Sequence, residues 1–61
     1  MKWYETWDYK TKKPYWWTQR NNLGFCFEIR ISENKFELYL GEHEKLLSKH
    51  ETLQEAMDAI Y

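Results

Sequence analysis

The stretch Phe25-Cys26-Phe27-Glu28-Ile29-Arg30-Ile31-Ser32-Glu33-Asn34-Lys35-Phe36-Glu37-Leu38-Tyr39-Leu40 carries the clearest structural pattern in this chain of 61 residues. Apolar side chains occupy every second position in two runs, which is typical of strands with one buried face. The polar segment 33–35 separates the runs, and their apolar faces are in phase, so the pattern predicts an antiparallel hairpin. The predicted apolar face consists of Phe25, Phe27, Ile29, Ile31, Phe36, Leu38 and Leu40.

Weaker strand patterns lie on both sides of this hairpin. Residues 2–9 read as a strand with Trp3, Glu5, Trp7 and Tyr9 on one side and the other residues on the opposite side. Residues 15–20 form a second candidate strand. The polar segment 10–14, which contains Pro14, connects these two strands. Residues 45–49 predict one further strand, in which Leu46 and Leu47 compete for the buried face.

The end of the chain predicts a short helix. Thr52-Leu53-Gln54-Glu55 matches a capping box, in which Thr52 accepts from the first turn and Glu55 reaches back to the cap. Apolar residues then recur at helical spacing, and a helix this short must dock on other structure to persist in water. The predicted fold class is therefore α+β: an antiparallel β-meander of about four to five short strands with one C-terminal helix packed on one face.

Length and composition limit the architecture. Sixty-one residues predict one domain, residues 1–61, and a chain this short is expected to be marginally stable. A single cysteine, Cys26, excludes an internal disulfide. The aromatic residues, 20% of the chain, are expected to compensate because each carries a large apolar area.

The sequence predicts a cytoplasmic protein. No stretch is long and apolar enough to cross a membrane, and the first residues lack the apolar core of a signal peptide. The single cysteine is typical of a reducing compartment, which would be the host cytoplasm if the chain is phage-encoded. We expect no membrane partner.

The charges are distributed unevenly along the chain. Residues 1–31 carry a net charge of +3 and residues 32–61 a net charge of −4, within the total of −1. Basic residues combined with aromatic residues are typical of single-stranded nucleic-acid sites, whereas an acidic half repels phosphate. A mixed surface of this kind also fits a protein partner of complementary charge.

The adjacent pair Trp16-Trp17 is the main functional signal. Successive side chains on a strand point to opposite faces, so the two indoles cannot share a single-sided core. We expect Trp16 or Trp17 to be buried and the other to be at least partly accessible, bordered by Tyr4 and Arg20. The basic segment between the first two strands adds positive charge near this hairpin. The predicted binding residues are Tyr4, Lys10, Lys12, Lys13, Trp16, Trp17 and Arg20.

Two resemblances are found in the chain. Phe27-Glu28-Ile29-Arg30, then Leu40-Gly41, then Thr52-x-x-Glu55-Ala56 resembles, over residues 25–61, the AP2-type DNA-binding domain of plants and the similar arm-binding domain of phage integrases. That resemblance implies a sheet that enters a DNA groove, although Glu28 and Glu37 lie on the face that carries Arg and Trp in those families. The Trp-rich meander followed by a helix also resembles small phage and prophage accessory proteins.

Catalytic and metal-binding signals are weak. The segments 42–44 and 50–51 are the only clusters of His with carboxylates, and charged turns of this type are ordinarily solvated. No nucleophile–base pattern and no glycine-rich phosphate loop is present. The sequence therefore predicts no enzyme, no catalytic residue, no metal site and no cofactor.

Three functions remain open from the sequence. The first is a small accessory protein, such as a phage or mobile-element inhibitor, that binds another protein through the N-terminal hairpin and modulates it. The second is a nucleic-acid-binding module, and the third is a structural subunit that forms a homodimer or larger homo-oligomer. The near-neutral charge favours the first function over the second.

Overall fold

In the computed structural model, which describes residues 2–60, the chain forms one antiparallel sheet and one short helix. The strands are β1 (Tyr4–Asp8), β2 (Lys13–Trp17), β3 (Phe27–Ser32), β4 (Lys35–Leu40) and β5 (Lys45–His50), followed by helix α1 (Leu53–Asp58). The strands lie side by side in the order β1-β2-β3-β4-β5. Each strand therefore pairs with its neighbours in sequence. Met1 and Tyr61, the two ends of the predicted domain, lie outside the described residues.

The hairpin predicted from the alternating stretch is present. Strands β3 and β4 pair antiparallel from Phe27↔Leu40 to Ser32↔Lys35. Glu33 and Asn34 both have positive φ, 51° and 65°, which is the backbone of a two-residue type I′ turn. This turn places the two apolar faces on the same side of the sheet, as the sequence pattern requires.

The core lies on the face of the sheet where Trp16, Ile29 and Leu38 are cross-strand neighbours. Ile29 has 0% of its surface exposed and Leu38 has 2%, so these two side chains form the centre of the core. Ala56 of α1 is buried against them. Partly buried apolar residues surround this centre: Trp3, Phe27, Ile31, Phe36, Leu53, Met57, Ala59 and Ile60.

The predicted α+β class is wrong, because the protein is a small β-rich fold. Helix α1 has six residues and contributes one buried side chain, Ala56. It contacts β4 and β5 and therefore does not back the whole sheet. Five paired strands make up most of the regular structure, so the sheet rather than the helix defines the fold.

Several strand ends also differ from the predictions. Strand β3 begins at Phe27 instead of Phe25, and Phe25, predicted on the buried apolar face, is 47% exposed. The reason is local: the Asn21 side chain accepts from the Phe25 backbone N–H at 3.0 Å and holds this segment in a turn. Strand β2 begins at Lys13 and ends at Trp17, earlier than predicted, and β1 is limited to five residues.

A β-bulge resolves the competition between Leu46 and Leu47. The pairing of β4 with β5 shifts between Leu38 and Tyr39, so that Leu38 faces Ser48 and Tyr39 faces Leu46. Leu47 is the extra residue of the bulged strand. Both leucines remain more than 40% exposed.

No helix within residues 2–60 has the length and apolar character needed to cross a membrane.

Candidate functional site

The sheet has a second face, opposite the core, which we call the outer face. The strand registers place one row of side chains across all five strands: Tyr4, Trp17, Glu28, Tyr39 and Leu46. A second row lies beside it: Thr6, Tyr15, Arg30, Glu37 and Lys49. The outer face therefore combines four aromatic rings with charged residues, and α1 lies on the other side of the sheet.

Tyr4 and Trp17 form a stacked aromatic pair on the outer face. Their ring centroids are 4.8 Å apart and the ring planes differ by 24°. The Trp17 indole Nε1 donates to Thr6 Oγ1 at 3.0 Å, which fixes the orientation of the ring. Lys2 Nζ lies 5.2 Å from the centre of the Tyr4 ring, within cation–π range. The pair is half-buried, and contacts within the chain hold both rings in place.

Trp16 points to the opposite face, as strand geometry requires. It is 8% exposed, and its Nε1 donates to Glu5 Oε1 at 2.9 Å. Its ring lies 5.9 Å from that of Phe36 in the core. Of the two adjacent indoles, Trp16 is therefore a core residue and only Trp17 reaches the outer face, in agreement with the predicted division.

An open groove of about 620 Å³ lies beside Trp17 on the outer face. Its lining includes Tyr15, Trp17, Arg20, Cys26, Arg30 and His43. The walls combine aromatic rings with charges of both signs, because Glu28 and Glu42 also line the groove. A groove of this character suits a polypeptide with apolar and polar side chains better than a uniformly charged ligand.

Arg30 organises the centre of the outer face. Its guanidinium binds the Glu28 carboxylate, lies 2.9 Å from Asp8 Oδ2 and sits 4.2 Å from the centre of the Tyr15 ring. The hydrogen bond to Glu28 is the main cause that raises the pKa of Arg30. The Lys10 backbone N–H is the main cause that lowers the pKa of Asp8; burial opposes this lowering, and the hydrogen bond from Arg30 adds to it.

A second polar cluster lies on strand β4. The Tyr39 hydroxyl donates to Glu37 Oε1 at 2.7 Å, and Lys49 Nζ lies 3.3 Å from Glu37 Oε2. Burial raises the pKa of Tyr39 to about 12, and the bond to Glu37 acts in the same direction. His43 packs edge-on against the Tyr39 ring with the centroids 4.3 Å apart.

The carboxylates of β3 and β4 on the outer face, Glu28 and Glu37, are covered by neighbouring side chains. Glu28 is 6% and Glu37 is 8% exposed. Trp17 and Tyr39 are the cross-strand neighbours of Glu28, and Arg30 binds it. The sequence pattern identifies the face of a residue but not how far neighbouring side chains extend over it.

The structure divides the predicted binding residues among separate places. Tyr4 and Trp17 are together, and Arg20 is exposed at the groove, where it donates to the Gly24 carbonyl at 2.8 Å. Trp16 belongs to the core. The basic residues Lys10, Lys12 and Lys13 are exposed at the other end of the hairpin, roughly 13 Å along β1 from the Tyr4–Trp17 row.

Sequence reasoning did not name Tyr15, Arg30 or Tyr39 as site residues. A usable signal was present, because Tyr15 and Trp17 are two positions apart and must share a face. The partners of Arg30 could not be found in this way, since Asp8 lies 22 positions earlier in the chain. Their proximity depends on the register of three strands.

Metal-ligand geometry is missing from the part of the chain that the structure describes: no group of three His, Cys, Asp or Glu side chains is close enough to hold a metal ion. Comparison of the chain with models of protein families, with curated proteins and with solved structures finds no match.

Proposed function

We propose that this chain is a small non-enzymatic binding protein, an accessory factor that modulates another protein by docking on it with the outer face of the sheet. The Tyr4–Trp17 pair is the anchor of the contact, and the adjacent groove receives side chains of the partner. The observation that carries the proposal is the stacked pair itself: two large rings, half-buried and hydrogen-bonded in place beside an open groove.

Preorganisation makes such a pair an effective anchor. A mobile aromatic side chain loses conformational entropy when it is fixed in an interface, and a ring already held by its neighbours loses less. Trp17 is held by Tyr4 on one side and by Thr6 at its Nε1. Trp and Tyr are also the residues that most often dominate the binding free energy of protein interfaces.

The charges favour a protein over a nucleic acid as the partner. Arg30 is bound to Asp8 and Glu28, and Lys49 lies against Glu37, so the central cations of the outer face are already neutralised. Binding of a phosphate backbone needs unpaired cations, which neutralise phosphates and so release the counterions condensed on the nucleic acid. Lys10, Lys12 and Lys13 are exposed, but they lie at the hairpin tip, away from the anchor. In this proposal they attract an acidic region of the partner from a distance.

The experiment compares partner binding by two tryptophan variants. A photo-crosslinking residue is placed at Tyr15, which lines the groove, and proteins captured in extracts are identified and then expressed for binding measurements. Trp17→Ala is expected to weaken binding to the purified partner by roughly 30-fold or more, the loss typical of an interface anchor. Trp7→Ala is the matched control, because Trp7 is 49% exposed but lies on the other face.

Two further measurements make the result decisive. Thermal unfolding followed by circular dichroism must show that Trp17→Ala is folded, and Trp17→Phe, which retains a ring for stacking, is expected to recover part of the affinity. The affinity of a protein partner is expected to change little with salt, whereas nucleic acid would dissociate steeply as salt is raised. Equal binding by Trp17→Ala and Trp7→Ala, or capture that depends on nucleic acid, would contradict the proposal.

A further inference from the structure

The two edges of the sheet differ in their protection against pairing with another strand. Edge strand β5 carries the bulge at Leu47 and the exposed residues Lys45 and Lys49, which are features that block strand addition. Edge strand β1 pairs with β2 in an uninterrupted register and contains no lysine and no proline. Within residues 2–60 no strand lies on its outer side.

The charged side chains of β1 do not protect its edge either, because both are engaged with their own sheet. Glu5 Oε1 accepts from the buried Trp16 Nε1 at 2.9 Å. Asp8 Oδ2 is bound by Arg30, and Asp8 Oδ1 accepts from the Lys10 backbone N–H at 2.9 Å. An approaching strand therefore meets two carboxylates that are already partnered.

The alternation of hydrogen bonds identifies the free backbone groups of β1. The Thr18 N–H donates to the Phe27 carbonyl, so the backbone groups of Thr18 and, by alternation, Trp16 point towards β3. The backbone groups of Tyr15 and Trp17 must then point towards β1, where they face the backbone groups of Thr6 and Tyr4. The outward N–H and C=O groups of β1 consequently belong to Glu5 and Trp7.

The exposed ring of Trp7 lies at the same edge. It projects on the core face of the sheet, at the β1 edge, whereas α1 contacts β4 and β5. As a result, 49% of the surface of Trp7 is exposed. A large ring in this place gains burial if a further strand extends the sheet.

We propose that β1 is a homodimer interface, in which β1 of a second copy adds antiparallel to form a continuous ten-stranded sheet. The register centred on Thr6 pairs all five residues of each strand. A register displaced by two residues would pair only three residues of each strand. It sets Glu5 opposite Trp7 of the second copy, so that the outward backbone groups of both strands bond to each other. It also sets Tyr4 opposite Asp8 of the second copy and places no like charges opposite each other within the paired strands. The two-fold axis passes beside Thr6, as a self-complementary interface requires.

This inference goes beyond the proposed function, because the dimer leaves Trp17 and its groove uncovered. The two outer faces become one continuous surface. The experiments therefore separate the two proposals: Trp17→Ala is expected to retain the dimer, and Trp7→Lys is expected to retain partner binding as a monomer.

The first test is sedimentation equilibrium of the full chain. The wild-type protein is expected to dimerise, and Trp7→Lys is expected to raise the dimer dissociation constant by roughly tenfold or more, since a lysine on an edge disfavours pairing. Leu47→Lys is the matched control, because Leu47 is 44% exposed on the opposite edge and is expected to leave dimerisation unchanged. A wild-type monomer at all concentrations up to about 1 mM, or equal effects of the two lysines, would overturn the proposal.

The second test measures the register. In a Cys26→Ser background, Thr6→Cys is expected to form an intermolecular disulfide on mild oxidation, because the Cα atoms of a non-hydrogen-bonded pair lie about 4.5 Å apart, within the range of a disulfide. Lys13→Cys is exposed on the neighbouring strand and reports random encounters. Crosslinking of Thr6→Cys no faster than that of Lys13→Cys would rule out the two-fold axis beside Thr6.

Discussion

At the scale of single residues, Arg30 has the greatest influence on the outer face. It joins Asp8 of β1 to Glu28 of β3 and lies against the ring of Tyr15 in β2. One side chain thus contacts residues of three neighbouring strands. Because Glu28 is almost fully buried, removal of Arg30 leaves a buried carboxylate without its cation.

Replacing Arg30 with methionine is expected to destabilise the protein by about 2 kcal/mol, below the full cost of breaking a buried ion pair because the Arg30 side chain is 28% exposed. Lys49→Met is the matched control: it also removes a cation from a buried carboxylate, but Lys49 is 56% exposed, so the expected cost is below about 1 kcal/mol. Urea unfolding measures both values. The double variant Glu28→Gln/Arg30→Met is expected to recover part of the loss, and equal costs for the two methionine variants would contradict this account of Arg30.

The raised pKa of Tyr39 predicts a loss of folding stability at alkaline pH. Its pKa is raised from 10.0 to about 12, chiefly by burial and then by the bond to Glu37. The folded state therefore holds the phenolic proton more tightly than the unfolded state, and this contribution to stability is fully present below pH 10. It is lost as the pH rises to about 12. The free-energy difference between wild type and Tyr39→Phe is expected to shift in favour of the variant over this interval in pH-dependent unfolding. A constant difference would show that the Tyr39 proton is not linked to folding.

At the scale of elements, α1 depends on its N-cap because it has only six residues. Thr52 Oγ1 accepts from the Glu55 backbone N–H at 3.2 Å, as predicted, but the Glu55 carboxylate accepts from the Thr52 hydroxyl instead of reaching the cap backbone. Thr52→Ala removes both bonds and is expected to cost about 1 kcal/mol of unfolding free energy. Thr52→Ser retains the hydroxyl and is expected to remain close to wild type in urea unfolding. Equal loss in both variants would indicate that the Thr52 methyl group, and not the cap, stabilises this end of the chain.

The elements also show which parts of the structure can be predicted from the sequence. The β3–β4 hairpin and the division of Trp16 and Trp17 between faces follow from period-two geometry, which is local. The fold class was predicted wrongly because a helical pattern does not reveal how little of the sheet six residues can cover. The burial of Glu28 and Glu37 depends on cross-strand neighbours, and the bulge at Leu47 depends on the pairing of β4 with β5. These are tertiary properties that no single segment encodes.

At the scale of the whole molecule, the consecutive strand order separates charge from aromatic contact. The β1–β2 hairpin places Lys10, Lys12 and Lys13 at its tip and the Tyr4–Trp17 pair at its other end. Long-range attraction acts on the encounter between proteins, whereas close packing of an anchor acts on the lifetime of the complex. The proposed function therefore assigns different kinetic steps to the two ends of one hairpin.

Binding kinetics with the identified partner test this separation. Lys12→Ala is expected to slow association several-fold at low salt and to leave dissociation unchanged, because Lys12 is exposed at the tip and screening by salt weakens its attraction. Trp17→Ala is expected to speed dissociation by roughly 30-fold, the equivalent of about 2 kcal/mol, with little change in association. Lys45→Ala is the matched control, since it makes the same change in net charge at the exposed start of β5. If Lys45→Ala slows association as much as Lys12→Ala does, the net charge of the molecule guides the encounter, and the hairpin tip has no special part in it.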